Sequence, residues 1–177
     1  MGNKLKKYEI LGFVLTSIIG SLLHFAFEWS GENTFVAVFS PVNESVWEHL
    51  KLLFFPYMAY AIFELIQFTD NWRGIIVSKT LGVIMGMLSI LMLFYTYSGI
   101  IGKNITWIDI SIFIIGVGIA FWVSYKTFEI FKNSSNFVVT LAVFAIMLIT
   151  RLFVSYTFAP PELPLFLDTQ SMTYGIK

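Results

Sequence analysis

Five apolar runs, each about as long as a bilayer is thick, restrict this chain to very few folds. They extend from about Tyr8 to Glu28, Val46 to Phe68, Ile75 to Tyr97, Ile108 to Tyr125 and Phe137 to Tyr156. A helix rises about 1.5 Å per residue, so about twenty apolar residues cross a hydrocarbon core about 30 Å thick. Barrel strands would alternate apolar and polar residues at period two, and no such alternation is present. The predicted fold class is therefore all-α: a polytopic membrane bundle of five helices forming a single domain over 1–177. Composition agrees, with 57% hydrophobic and 12% charged residues, against about 25% charged in a soluble domain. The net charge is zero and cysteine is absent. These remove the basic surface that nucleic acid requires, and also disulfides, thiolate metal ligands and a cysteine nucleophile.

The breaks between the runs carry their own signals. Gly31 stops the first span, which has a basic, signal-like start but no small-residue cleavage pattern, and so reads as a retained helix. Ser45-Val46-Trp47-Glu48 reads as a capping box opening the second span. In that box Glu48 would bond the Ser45 amide, a role Gln could keep. Pro56 lies inside the second span and withholds a hydrogen bond from the Leu52 carbonyl. The turn Thr69–Gly74 leads to the third span, and Ala159-Pro160-Pro161 ends the fifth. The tail 159–177 is too short and polar to span, which predicts an interfacial position. Gly82-x-x-x-Gly86 and Gly116-x-x-x-Ala120 are small faces suited to close helix crossing, and Trp29, Trp47, Trp72 and Trp107 fall at span boundaries.

Orientation follows from the cations. With the N-terminus inside, Lys4, Lys6, Lys7, Arg73, Lys79, Lys126 and Lys132 lie on the inner side, and Lys51, Lys103, Arg151 and Lys177 on the outer. That bias predicts an inside N-terminus and an outside C-terminus. Glu64 and Lys79 stand at equal distances from the Thr69–Gly74 turn, so an ion pair between antiparallel helices is the economical reading.

Polar chemistry concentrates at the predicted outer end. Thr16, Gly20, His24 and Glu28 recur every four residues and share one helix face. His24 and Glu28, one turn apart, suit a metal ion or an acid/base pair. The run Pro41–Lys51, PVNESVWEHLK, adds Glu44, Glu48 and His49, although His49 projects about 100° from Glu48. Candidate metal ligands are thus His24, Glu28, Glu44 and His49, and candidate catalytic residues are Glu44, Glu48, His49 and Arg151. Two imidazoles with carboxylates and no thiol suit zinc, manganese or iron. Arg151, in the outer third of the fifth span, would pair Glu28 or Glu44, bind an anionic group, or snorkel to the interface.

The segment His24–Pro56, HFAFEWSGENTFVAVFSPVNESVWEHLKLLFFP, resembles a family of small bacterial multi-spanning membrane proteins known as a domain of unknown function. The shared pattern is HxxxEWSG…PVNESxWEHxK, covering about a fifth of the chain. The resemblance implies a bacterial inner membrane and a common site at these motifs, with no reaction attached. Three functional readings remain open. The first is a membrane-embedded enzyme with a metal or acid/base site at the extracytoplasmic leaflet, acting on a lipid or lipid-linked substrate. The second is a small-molecule binding or transport subunit, with the loop from Gly31 to Asn43 as a lid over an outward pocket. The third is an assembly factor that contacts a membrane partner or a second copy.

Overall fold

The computed structural model describes residues 2–176, so Lys177, counted above with the outer cations, lies outside the described residues. The fold is an all-α bundle. Five long helices, α1 (Gly2–Trp29), α3 (Val46–Gln67), α4 (Trp72–Ile101), α5 (Thr106–Phe131) and α6 (Asn136–Phe158), are each long and apolar enough to cross a bilayer. A single-turn helix, α2 (Thr34–Ala37), sits in the α1–α3 connection, and β1 (Leu167–Asp168) pairs antiparallel with β2 (Thr173–Tyr174) in the tail.

Several helices outrun their apolar stretches. α1 starts at Gly2 because Leu5, among three lysines, is buried against Phe68, Ile75 and Phe128. α4 and α5 likewise continue a turn or more past the hydropathic boundary. Exposed Ile, Leu and Phe side chains cover the outside of α1, α5 and α6, as lipid contact requires.

Small residues set the helix crossings. The glycine face of α4 meets that of α5: a methyl on Gly86 would lie 2.8 Å from the Gly116 carbonyl, and one on Gly82 would collide with the Ala120 carbonyl. α1 approaches α3 at Gly20, where a methyl would collide with the Leu52 carbonyl. That carbonyl is the one Pro56 leaves without an intrahelical donor, so the small residue of one helix covers the bare acceptor of the next. The core between them is aromatic, built on Phe54, Tyr57, Tyr60, Phe121 and Phe153.

Two expectations change, and the α1–α3 connection gains an anchor. The Ser45 hydroxyl does cap α3, accepting from the Glu48 amide at 3.3 Å, but the Glu48 carboxylate does not return to the Ser45 amide. Asn43 Oδ1 accepts that amide at 2.9 Å, and Glu48 accepts instead from the Val42 amide at 3.1 Å. Trp47 is packed inward on Phe153, Tyr156 and Phe166, with ring centroids 4.8, 5.6 and 5.1 Å away, whereas Trp29, Trp72 and Trp107 stay exposed. The segment Gly31–Asn43 is anchored at Ser40. Ser40 Oγ donates to the Leu23 carbonyl at 2.6 Å and accepts from the Phe27 amide at 3.1 Å, which ties it to α1.

Candidate metal centre

Gly20 brings α1 against α3, and one turn further along α1 stands His24. Facing it is His49, in the first turn of α3, with ring centroids 5.1 Å apart. Between the two imidazoles stands Glu44, which precedes α3 and is therefore free of its helical geometry. Asn43 directs it: its side-chain oxygen closes a turn onto the Ser45 amide, while its side-chain nitrogen donates to the Gly175 carbonyl of the tail at 2.9 Å. Glu44 Oε2 lies 3.4 Å from His49 Nε2, and Glu44 Oε1 lies 3.9 Å from His24 Nε2. One ligand atom from each of the three residues falls within 4.8 Å of the others. These side chains keep 31, 32 and 39% exposure for His24, His49 and Glu44, so the cluster opens to the surroundings.

The second ring nitrogens define what this arrangement can hold. His49 Nδ1 lies 2.9 Å from the Ser45 carbonyl, an acceptor only, so Nδ1 must carry a proton and donate. In the neutral ring Nε2 is then a bare lone pair aimed at a carboxylate oxygen. Two acceptors at 3.4 Å require a cation between them, either a second proton or a metal ion. A backbone carbonyl fixing the outer nitrogen is also the usual support of a metal-binding histidine. His24 Nδ1 is buried without a partner. Without a metal, a proton on His49 Nε2 would bridge to Glu44. That hydrogen bond comes first in holding the Glu44 carboxyl below its ordinary value of 4.5; partial burial opposes it, and the charges of both imidazoles reinforce it.

The other candidates go elsewhere. Glu28 is exposed one turn beyond His24, outside the cluster. Arg151 is exposed on α6 and forms neither of the ion pairs expected of it among the described residues. Glu48 turns the opposite way from His49 and is 2% exposed. Its carboxylate accepts from Lys51 Nζ at 2.6 Å and from Thr157 Oγ1 of α6 at 3.2 Å. Lys51, wholly buried, also donates to Thr157 Oγ1 at 2.5 Å, to the Ala37 carbonyl at 2.9 Å and to the Ser40 carbonyl at 3.4 Å. This balanced pair ties α3, α6 and the connection around α2 into one floor beneath the open cluster.

Sequence reasoning did not single out Thr157, Ser40 or Asp168, which close this end of the bundle. Asp168, in β1, organises the hairpin through Ser171 and the Gln170 amide, and its charge reaches Glu44. Their only signal in the sequence was polarity beside apolar residues, and a tail docked by Phe166 and by the Ile176 amide leaves no periodic trace.

The class of molecule is thus defined as a multi-pass membrane protein with five candidate transmembrane helices and a polar cluster at one end. The chain belongs to a family of unknown function, DUF6512, whose model matches residues 1–176. Searches of curated proteins and of solved structures each return no match.

Proposed function

We propose that His24, Glu44 and His49 bind one divalent metal ion, and that the chain is a metal-dependent membrane enzyme acting on a lipid or lipid-linked substrate. The observation that carries this reading is that His49 Nε2 faces a Glu44 carboxylate oxygen at 3.4 Å while Nδ1 is committed to the Ser45 carbonyl. The spacing fits. Ligands about 2.1 Å from a tetrahedral ion sit about 3.4 Å from each other. The His49–Glu44 separation equals that figure; the His24–Glu44 separation, 3.9 Å to the other carboxylate oxygen, and the 4.8 Å within which one atom from each residue falls require the side chains to close in on an ion. Two imidazoles and one carboxylate are a donor set for zinc, iron or manganese, and three protein ligands leave room for a further one. A metal held this way would supply Lewis acidity or an activated water at neutral pH. The chain's own part is to fix the imidazole through Ser45 and the carboxylate through Asn43.

A lipid substrate is favoured by what surrounds the cluster. Phe25, whose ring packs on His24, is 46% exposed, and Leu22 and Trp29 of α1 and Phe35 of α2 are 52, 69 and 73% exposed at the same end of the bundle. The cluster therefore lies where apolar chains and headgroups meet. We place it in a cell membrane, on the extracytoplasmic side.

Metal analysis of the protein purified without chelator tests the core of this reading. The expected result is about one zinc, iron or manganese per chain, lost in His24→Ala, Glu44→Gln and His49→Ala. Each substitution should weaken binding beyond the roughly 10–100-fold that losing an outer partner of a ligand costs. Absence of metal, together with no zinc, iron or manganese binding on titration of the chelated protein, would leave an imidazolium–carboxylate pair and end the metal proposal.

A further inference from the structure

At the opposite end of α1 from His24 lies a buried charge cluster that the metal centre does not use. Lys79 of α4 places Nζ 2.7 Å from Glu9 Oε2 of α1 and 2.6 Å from Glu64 Oε2 of α3. These side chains are 1, 5 and 0% exposed. The expected Glu64–Lys79 pair is therefore present, with a second carboxylate added from a third helix. From α5, Ser124 Oγ donates to Glu9 Oε1 at 2.9 Å. Glu64 Oε1 has no such donor: it is buried without a hydrogen-bond partner. The phenols nearby are occupied, Tyr57 donating to the Ala120 carbonyl and Tyr60 to the Tyr8 carbonyl. Phe121 of α5 lies against the ammonium, its ring centroid 4.5 Å from Lys79 Nζ.

The charges do not balance. Glu9 from α1, Glu64 from α3 and Lys79 from α4 leave one negative charge when all three are ionised, and no further charged side chain pairs with them among the described residues. The Glu48–Lys51 pair at the other end is balanced one to one, and each of its carboxylate oxygens is bonded. An uncompensated anion with a bare oxygen is costly in a low-dielectric interior, and such groups in membrane spans are commonly proton-carrying. A metal cation would fit poorly, since it would sit beside the Lys79 ammonium and find one free oxygen.

We propose that the Glu9–Lys79–Glu64 cluster is a binding site for one proton, shared between the two carboxylates, so that the bundle carries a titratable proton at membrane depth. Glu9 and His24 lie fifteen residues apart on one helix, about 22 Å, so this site is distinct from the proposed metal centre.

Infrared spectroscopy of the full chain, reconstituted in lipid at neutral pH and stripped of metal, tests the proposal independently of metal binding. The wild-type protein should show the carbonyl stretch of one buried protonated carboxylic acid. Glu9→Gln and Glu64→Gln should each abolish it, because removing either carboxylate leaves a balanced pair that needs no proton. Lys79→Met should double it. No such band in the wild type, or an unchanged band in both Gln variants, overturns the proposal. Should the Gln variants fail to accumulate, Glu64→Asp keeps the acid and is expected to shift the band, and an unmoved band is equally fatal.

Discussion

Glu44 and Glu48 stand four residues apart and have opposite surroundings. Glu44 is open, precedes its helix and faces two imidazoles; Glu48 is sealed and bonded to Lys51, Thr157 and the Val42 amide. As a member of a capping box, Glu48 would tolerate Gln. The structure reverses that expectation. Glu48→Gln leaves the Lys51 ammonium buried without its anion, and breaking a buried pair from one side costs about 3–5 kcal/mol. The expected outcome is a large fall in thermal stability in detergent, or loss of the protein from the membrane fraction. Replacing both partners, Glu48→Gln with Lys51→Met, should recover most of the loss, since no uncompensated charge remains. A Glu48→Gln variant as stable as wild type would show that Lys51 has another counter-ion.

At the scale of elements, Gly20 is the contact on which the proposed centre depends. It is a point of close backbone approach of α1 to α3, one turn before His24, and the Leu52 carbonyl occupies the space a side chain would need. Gly20→Ala must push the helices apart, at about 1–3 kcal/mol for overpacking, and move His24 from His49 and Glu44. Metal affinity in Gly20→Ala should therefore fall although no ligand has changed. Gly99→Ala is the control: it lies inside α4 with nothing within 4 Å of the added methyl, and should be neutral or slightly stabilising. Equal metal affinities in the two variants would sink the argument. The presence of such elements was legible in the sequence, because length and hydropathy dictate spanning helices and because small residues on a helix face announce a crossing. Their ends were not, since α1 is extended by one buried side chain, Leu5, that hydropathy averages away among lysines. Glu9 was missed for a related reason. Nothing local marks it as the third member of the Glu64–Lys79 pair, whose meeting point depends on how three helices pack. The same holds for α2 and the tail hairpin, which are held by a few hydrogen bonds and ring contacts to distant residues.

For the molecule as a whole, the arrangement of helices makes the orientation testable. α1, α4 and α6 run one way and α3 and α5 the other, which puts the N-terminus, the Thr69–Asn71 turn and the α5–α6 turn at one end. His24, Glu44, His49 and the tail lie at the other. Two of the cations counted for orientation, Lys51 and Lys79, are buried and paired, so they offer little to the membrane surface. Setting those two aside, the first end keeps Lys4, Lys6, Lys7, Arg73, Lys126 and Lys132, against Lys103, Arg151 and, as counted from the sequence, Lys177 for the other. The asymmetry thus goes from seven against four to six against three and keeps its sign. Positive residues near span ends are retained on the cytoplasmic side. Reporter fusions should accordingly find Asn71 and Asn133 inside, and Gly102 and a fusion after Lys177 outside, a result that would put the His24–Glu44–His49 cluster on the extracytoplasmic face. A cytoplasmic C-terminus together with export at Asn71 would invert the bundle and put the cluster in reach of cytoplasmic metal pools and substrates. Swapping the charges is the stronger check. Neutralising Lys4, Lys6 and Lys7 removes half of the six, and with lysines added beside Gly102 it should produce a measurable inverted fraction.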